Sequence, residues 1–124
     1  MNKLILIIFI ILISCPVQAY TFAEQWTKTD SALEAVYIGL TIIDWGQTRD
    51  IAKHPQEYHE INPVLGRHPS LDTVDILIPA GIVAHGIISM ALPPKYRIYW
   101  QAVFIGIEGF TVLSNYNIGL RIDF

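Results

Sequence analysis

Asp44, His85 and Glu108 each stand inside an otherwise apolar stretch of this 124-residue chain. An ionisable side chain in hydrocarbon is costly, roughly 2.5–3.5 kcal/mol for an Asp near a helix centre on insertion scales. Residues kept at such cost point to chemistry, to ion passage or to a hydrogen-bonded interior. A second polar group lies in YHEINPVLGRHPS, Tyr58 to Ser70. There Glu60 and Asn62 are two apart and share a face of extended chain. Asn115 falls late in the last apolar stretch. Asp44, Glu60, Asn62, Glu108 and Asn115 form the candidate polar cluster, with the Tyr58–Ser70 segment as a lid that could pair with Gln47, Thr48 or Asn115. Two carboxylates brought close would share one proton, because both cannot ionise cheaply. The chain has no HExxH and no phosphate-binding glycine loop.

These residues need helices to position them. Tyr37, Thr41, Asp44 and Thr48 recur at three and four residues; Gly81, His85 and Ser89 are four apart; Gln101, Glu108 and Asn115 are seven apart with Thr111 between. Each set is one stripe of a helix, and three such stripes facing one another make a hydrogen-bonded bundle interior. SALE, Ser31 to Glu34, reads as a capping box opening a helix that runs to about Asp50. Three X-Pro pairs, His54-Pro55, Asn62-Pro63 and His68-Pro69, predict a polar loop over 51–70 built from short turns with Gly66. Ser70 is the N-cap of a second helix to Leu92. PPK, Pro93 to Lys95, breaks the chain before a third helix from about Tyr96 to Tyr116. The second and third helices, at about 1.5 Å per residue, reach roughly 30 Å, the thickness of a bilayer core. The expected fold is all-α: a small helical membrane bundle of about three transmembrane helices, one domain over 20–124. Depth speaks against a metal site of Asp44, His85 and Glu108. Measured from the loop side, these lie at roughly 8, 20 and 12 Å, so His85 sits at another level, nearer Gln101. No cofactor is expected.

Composition agrees with lipid as solvent. Hydrophobic residues make up 52% and charged residues 15%, against about 25% charged in soluble domains. A soluble bundle needs a charged outer face on each helix, yet between Asp75 and Leu120 only Lys95, Arg97 and Glu108 are charged. The net charge of -3 is scattered and excludes nucleic acid as a partner. Lys3, the apolar run Leu4 to Ser14 and PVQA, Pro16 to Ala19, have the pattern of a secretory signal peptide over 1–19. A lipoprotein signal ending before Cys15 and an uncleaved anchor are the alternatives. Tyr20, Phe22 and Trp26 suit a membrane–water interface. The expected location is the bacterial inner membrane, multi-pass, with the long loop and C-terminus cytoplasmic. Arg49, Lys53 and Arg67 on the loop side outnumber Lys95 and Arg97 in the short connection. The ending IGLRIDF alternates like a barrel strand, but a barrel needs at least about eight.

The stretch DWGQTRDI followed by EINPVLGRHPS resembles small bacterial and phage membrane proteins with no assigned activity. The resemblance covers Asp44 to Ser70 and implies a class, not a mechanism. Three functions stay open. One is a non-enzymatic structural or accessory membrane subunit, partnered by the bilayer, by other membrane proteins or by itself. Another is a small hydrolytic or metal-assisted membrane enzyme using Asp44 and Glu108. The last is a proton or ion pathway through the same acids.

Overall fold

The computed structural model describes residues 22–124. The expected signal peptide over 1–19, with its alternatives at Cys15 or as an anchor, lies outside the described residues, as does Tyr20. Three helices follow: α1 (Lys28–Lys53), α2 (Leu71–Ala91) and α3 (Pro94–Asn117). Among the described residues there is no strand, and Leu120 to Phe124 are irregular.

The helix ends follow from local chemistry. Ser70 caps α2 by accepting from the Thr73 N–H at 3.2 Å. Pro94 sits at the start of α3, where its missing N–H is not needed. α1 starts earlier than SALE suggests. Thr27 is its N-cap, and Thr27 and Asp30 form the capping box; Ser31 instead accepts from Trp26 Nε1 at 2.8 Å. Glu34 is thereby left free for another role. α1 also runs to Lys53, three residues past Asp50, so the loop begins at His54.

The chain runs up, down and up. α1 is central and packs on both other helices, while α2 and α3 touch each other least. One end of the bundle carries the 54–70 loop and the C-terminal tail. The other carries Phe22 to Thr27 and the Leu92-Pro93 turn. Leu65 anchors the loop in a small apolar core with Val74 and Ile78, flanked by Trp45 and Ala52. Gly66, at φ +80°, makes the turn there, a conformation glycine adopts without strain.

Most of the interior is polar. Thr48, Ser89, Arg97 and Gln101 are 0–1% exposed, whereas Phe110 is 73%, Tyr99 70% and Ile76 65% exposed. α2 is long and apolar enough to cross a membrane, and only 17% of its most apolar window is buried. Among the described residues it alone meets that test.

The tail folds back on α1. The Asp123 N–H donates to Gly46 O at 3.2 Å, and Phe124 meets Trp45 edge-on at 5.4 Å. Gly46 permits this approach: a Cβ there would stand 2.5 Å from Ile122 Cγ2 and 3.3 Å from Ile122 Cα. Gly46→Ala should therefore lift the tail, at a cost of about 1–3 kcal/mol. Faster proteolytic trimming of the C-terminus checks this; unchanged trimming would contradict it.

His54 caps α1 and is pH-sensitive. Its ring Nδ1 lies 3.0 Å from Asp50 O, and that carbonyl, then the Asp50 and Glu57 charges, raises the imidazole above its ordinary 6.5. A base raised on folding stabilises fully below its unfolded value, and that contribution is lost as pH climbs through the folded value. Asp123 acts in the opposite sense. Its Lys53 partner holds it below 3.8, so its contribution is present above that value and fades as pH falls through the lowered one. Thermal stability should fall slightly as pH rises past 6.5, and His54→Gln should flatten that slope.

Candidate functional site

The stretch from Asp44 to Asp50 ties α1 to every neighbour at the loop end. Trp45 Nε1 donates to Asp75 at 2.8 Å, and Arg49 pairs with the same carboxylate. Gln47 reaches Val112 O at 3.3 Å. The Asp50 carboxylate accepts the Arg121 N–H at 2.9 Å. Asn115 Nδ2 donates to Asp44 at 3.0 Å and to Gln47 at 3.2 Å. The loop comes down on this face: Thr48 donates to Glu60 at 3.4 Å. The other Glu60 oxygen accepts the N–H groups of Ile61 and Asn62 at 2.8 Å, and Asn62 accepts from Val64 N–H at 3.0 Å. Asp44 and Glu108 each lie nine residues from the loop-side end of their helix, about 14 Å deep. The longer α1 brings Asp44 to the level of Glu108.

A second polar centre lies at the opposite end, around Glu34. One of its carboxylate oxygens accepts from His85 Nδ1 at 2.8 Å. The other accepts from Ser89 at 3.0 Å and Gln101 at 3.1 Å. A carboxylate only accepts, so Nδ1 carries a proton. His85 stacks on Tyr37, with ring centres 3.7 Å apart, and on Trp100 at 5.2 Å. Arg97 completes this end. Its guanidinium donates to Ser89 O at 2.8 Å, Leu92 O at 3.1 Å, Glu24 O at 2.9 Å and the Asp30 carboxylate at 3.3 Å. α2 has no basic residue in its last turn; Arg97 from α3 satisfies its terminal carbonyls instead. The same contact holds Phe22–Thr27, where Ala23 and Gln25 adopt positive φ.

Between the two centres lies a partly open cavity of about 340 Å³, in the gap between α2 and α3. α1 lines it with Tyr37, Thr41 and Asp44, α2 with His85, and α3 with Trp100, Phe104 and Glu108. Asn62, Val64 and Leu65 close its loop side. His85 Nε2, Trp100 Nε1 and Glu108 Oε2 are buried without a hydrogen-bond partner among the described residues.

The structure thus places Asp44 with Asn115, Glu60 with Thr48, and Asp44, Asn62 and Glu108 around one cavity. Glu60 and Asn115 do not line that cavity. No three His, Cys, Asp or Glu among the described residues are grouped to hold a metal; His85 lines the same cavity as Asp44 and Glu108, with its Nδ1 engaged by Glu34. Asp30, Glu34 and Arg97 escaped sequence reasoning. Glu34 reads as a cap and Arg97 as a loop cation, yet Asp30 and Glu34 continue the α1 stripe about two turns back from Tyr37, and Arg97 lies four residues before Gln101. That periodicity was the signal. Comparison with protein-family models, with curated proteins and with solved structures finds no match.

Proposed function

We propose that this chain is an integral membrane protein, a non-enzymatic structural or accessory subunit whose three helices cross the bacterial inner membrane and are held together by buried polar groups. The carrying observation is the inverted distribution of side chains. Arg97, Gln101 and Ser89 are fully buried, while Val83, Val103, Ile107 and Leu113 are 51–65% exposed. Water would penalise both features; lipid favours both. By composition α1 and α3 are too polar to span, but their polar residues turn inward. Asp30, Glu34, Thr41, Gln47 and Thr48 of α1, with Arg97 and Gln101 of α3, are buried. What faces outward is apolar for much of both helices. Aromatic Tyr96 and Tyr99 near the start of α3 are exposed, as expected of a belt at the membrane–water interface.

Val83 tests the reading. It is 61% exposed near the middle of α2. In water Val83→Asp would be harmless or solubilising. In lipid it should cost roughly 2.5–3.5 kcal/mol and lower the inserted fraction. The wild-type chain should resist carbonate extraction and Val83→Asp should resist it less. Release of the wild-type chain by carbonate would overturn the proposal.

A further inference from the structure

The cleft between α2 and α3 has an unbalanced charge. Five acids, Asp30, Glu34, Asp44, Asp50 and Glu108, belong to the interior, and Asp44 and Glu108 line the cleft itself. Among the described residues the one fully buried fixed cation is Arg97, and it is paired with Asp30 at the far end. Glu34 is satisfied by three donors. Asp44 has one neutral donor, Asn115. Glu108 Oε2 has no partner among the described residues.

His85 supplies an independent observation. Its side chain is 2% exposed, it lines the cavity, and its Nε2 is unpartnered. With Nδ1 donating to Glu34, Nε2 is the ring's other polar atom, an acceptor whenever it carries no proton. The cavity wall thus carries the carboxyl acceptors of Glu108 and Asp44, the unpartnered His85 Nε2 and, among the described residues, a single unpartnered donor, Trp100 Nε1. Trp100 and Phe104, with ring centres 4.3 Å apart, add π-surface beside them. Leu77, Ile78, Ala84 and Ile88 make the remaining wall apolar.

Acceptor-rich carboxylates beside aromatic rings complement a hydrogen-bond-donating cation. A bare metal ion fits less well, since no three His, Cys, Asp or Glu among the described residues converge and hard cations need many oxygens. We infer that the α2–α3 cleft is a binding site for an ammonium group carried on an apolar chain. Glu108 and Asp44 take the charge, Trp100 and Phe104 flank it, and the chain leaves through the gap between α2 and α3. The opening on the lipid-facing side relies on the membrane reading; the recognition chemistry does not. Two sources carry this group, an aminophospholipid headgroup and a free alkylamine.

The test uses the full chain in phosphatidylglycerol nanodiscs and calorimetric titration with n-octylamine and n-octanol. Octylamine should bind at least about tenfold more tightly than the isosteric alcohol, the size expected of one charge-assisted bond. Glu108→Gln should erase that difference. Nanodiscs that also contain phosphatidylethanolamine should weaken octylamine binding if the headgroup occupies the site; unchanged binding assigns it to the free amine. Equal affinity for amine and alcohol in the wild type would overturn the inference, and needs no variant to fold. Retained discrimination in a folded Glu108→Gln variant would overturn it too. Failure of either kind leaves carbonate resistance, and so the membrane reading, intact.

Discussion

Arg97→Met should destabilise the bundle by about 3–5 kcal/mol, the range for removing one partner of a buried pair. The side chain is 0% exposed. Its loss leaves the Asp30 carboxylate without its cation, held by Thr27 alone, and strands three carbonyls, of Ser89, Leu92 and Glu24, that it now satisfies. It also removes the guanidinium stacked 4.9 Å above Trp26. Unfolding by denaturing detergent, followed by circular dichroism, measures the effect. Asp30→Asn added to Arg97→Met should recover part of it, because the stranded charge is then gone. Arg97→Lys should rescue poorly, since one ammonium cannot reproduce a planar fork spread over α1, α2 and the Glu24 carbonyl. A loss below about 1 kcal/mol, the upper range of surface ion pairs, would mean that water reaches this end and that the buried network is not what holds it.

Glu34→Leu should cost about 2–4 kcal/mol by a different route. Three donors, His85 Nδ1–H, the Ser89 hydroxyl and the Gln101 amide, converge on one carboxylate. An unsatisfied buried donor costs about 1–3 kcal/mol, and such penalties are not additive. Ser89 keeps an alternative in His85 O at 2.9 Å, and Gln101 keeps Asp30 O at 3.0 Å. Among the described residues His85 has no second acceptor at Nδ1, so its proton bears most of the loss. A double-mutant cycle isolates that bond. His85→Phe keeps an aromatic ring between Tyr37 and Trp100 while removing both nitrogens. The cycle should return a coupling of about 1.5–3 kcal/mol, typical of a hydrogen bond to a charged group. A coupling near zero would show that Glu34 and His85 are satisfied separately.

Both expectations concern the end of the bundle opposite the polar loop, whereas the residues conspicuous in the sequence lie mostly at the loop end. The difference is informative. Asp44, Glu108 and Asn115 stand out against apolar neighbours along the chain, and Glu60 and Asn62 within a polar loop. Glu34 and Arg97 do not, because each has a sufficient local explanation, a helix cap or a cation beside a turn. The structure replaces both. Thr27 takes the capping role, which frees Glu34, and the packing of α3 on α1 turns Arg97, in its first turn as expected, into the bundle interior.

The amino-acid order alone determined what depends on neighbours in the chain. Ser70 as a cap, the break at Pro93, the turns of the proline-rich loop and the three polar stripes all follow from spacing and backbone geometry. Tertiary structure alone decided which polar group meets which. His85 and Glu34 are 51 residues apart, and Arg97 and Asp30 are 67 apart. Their meeting depends on the relative depth and rotation of two packed helices, where a shift of one turn, about 5.4 Å, exchanges every partner. The cleft is of the same kind. It exists because α1 packs on both neighbours more closely than they pack on each other, a property of three bodies that no single stretch of sequence carries.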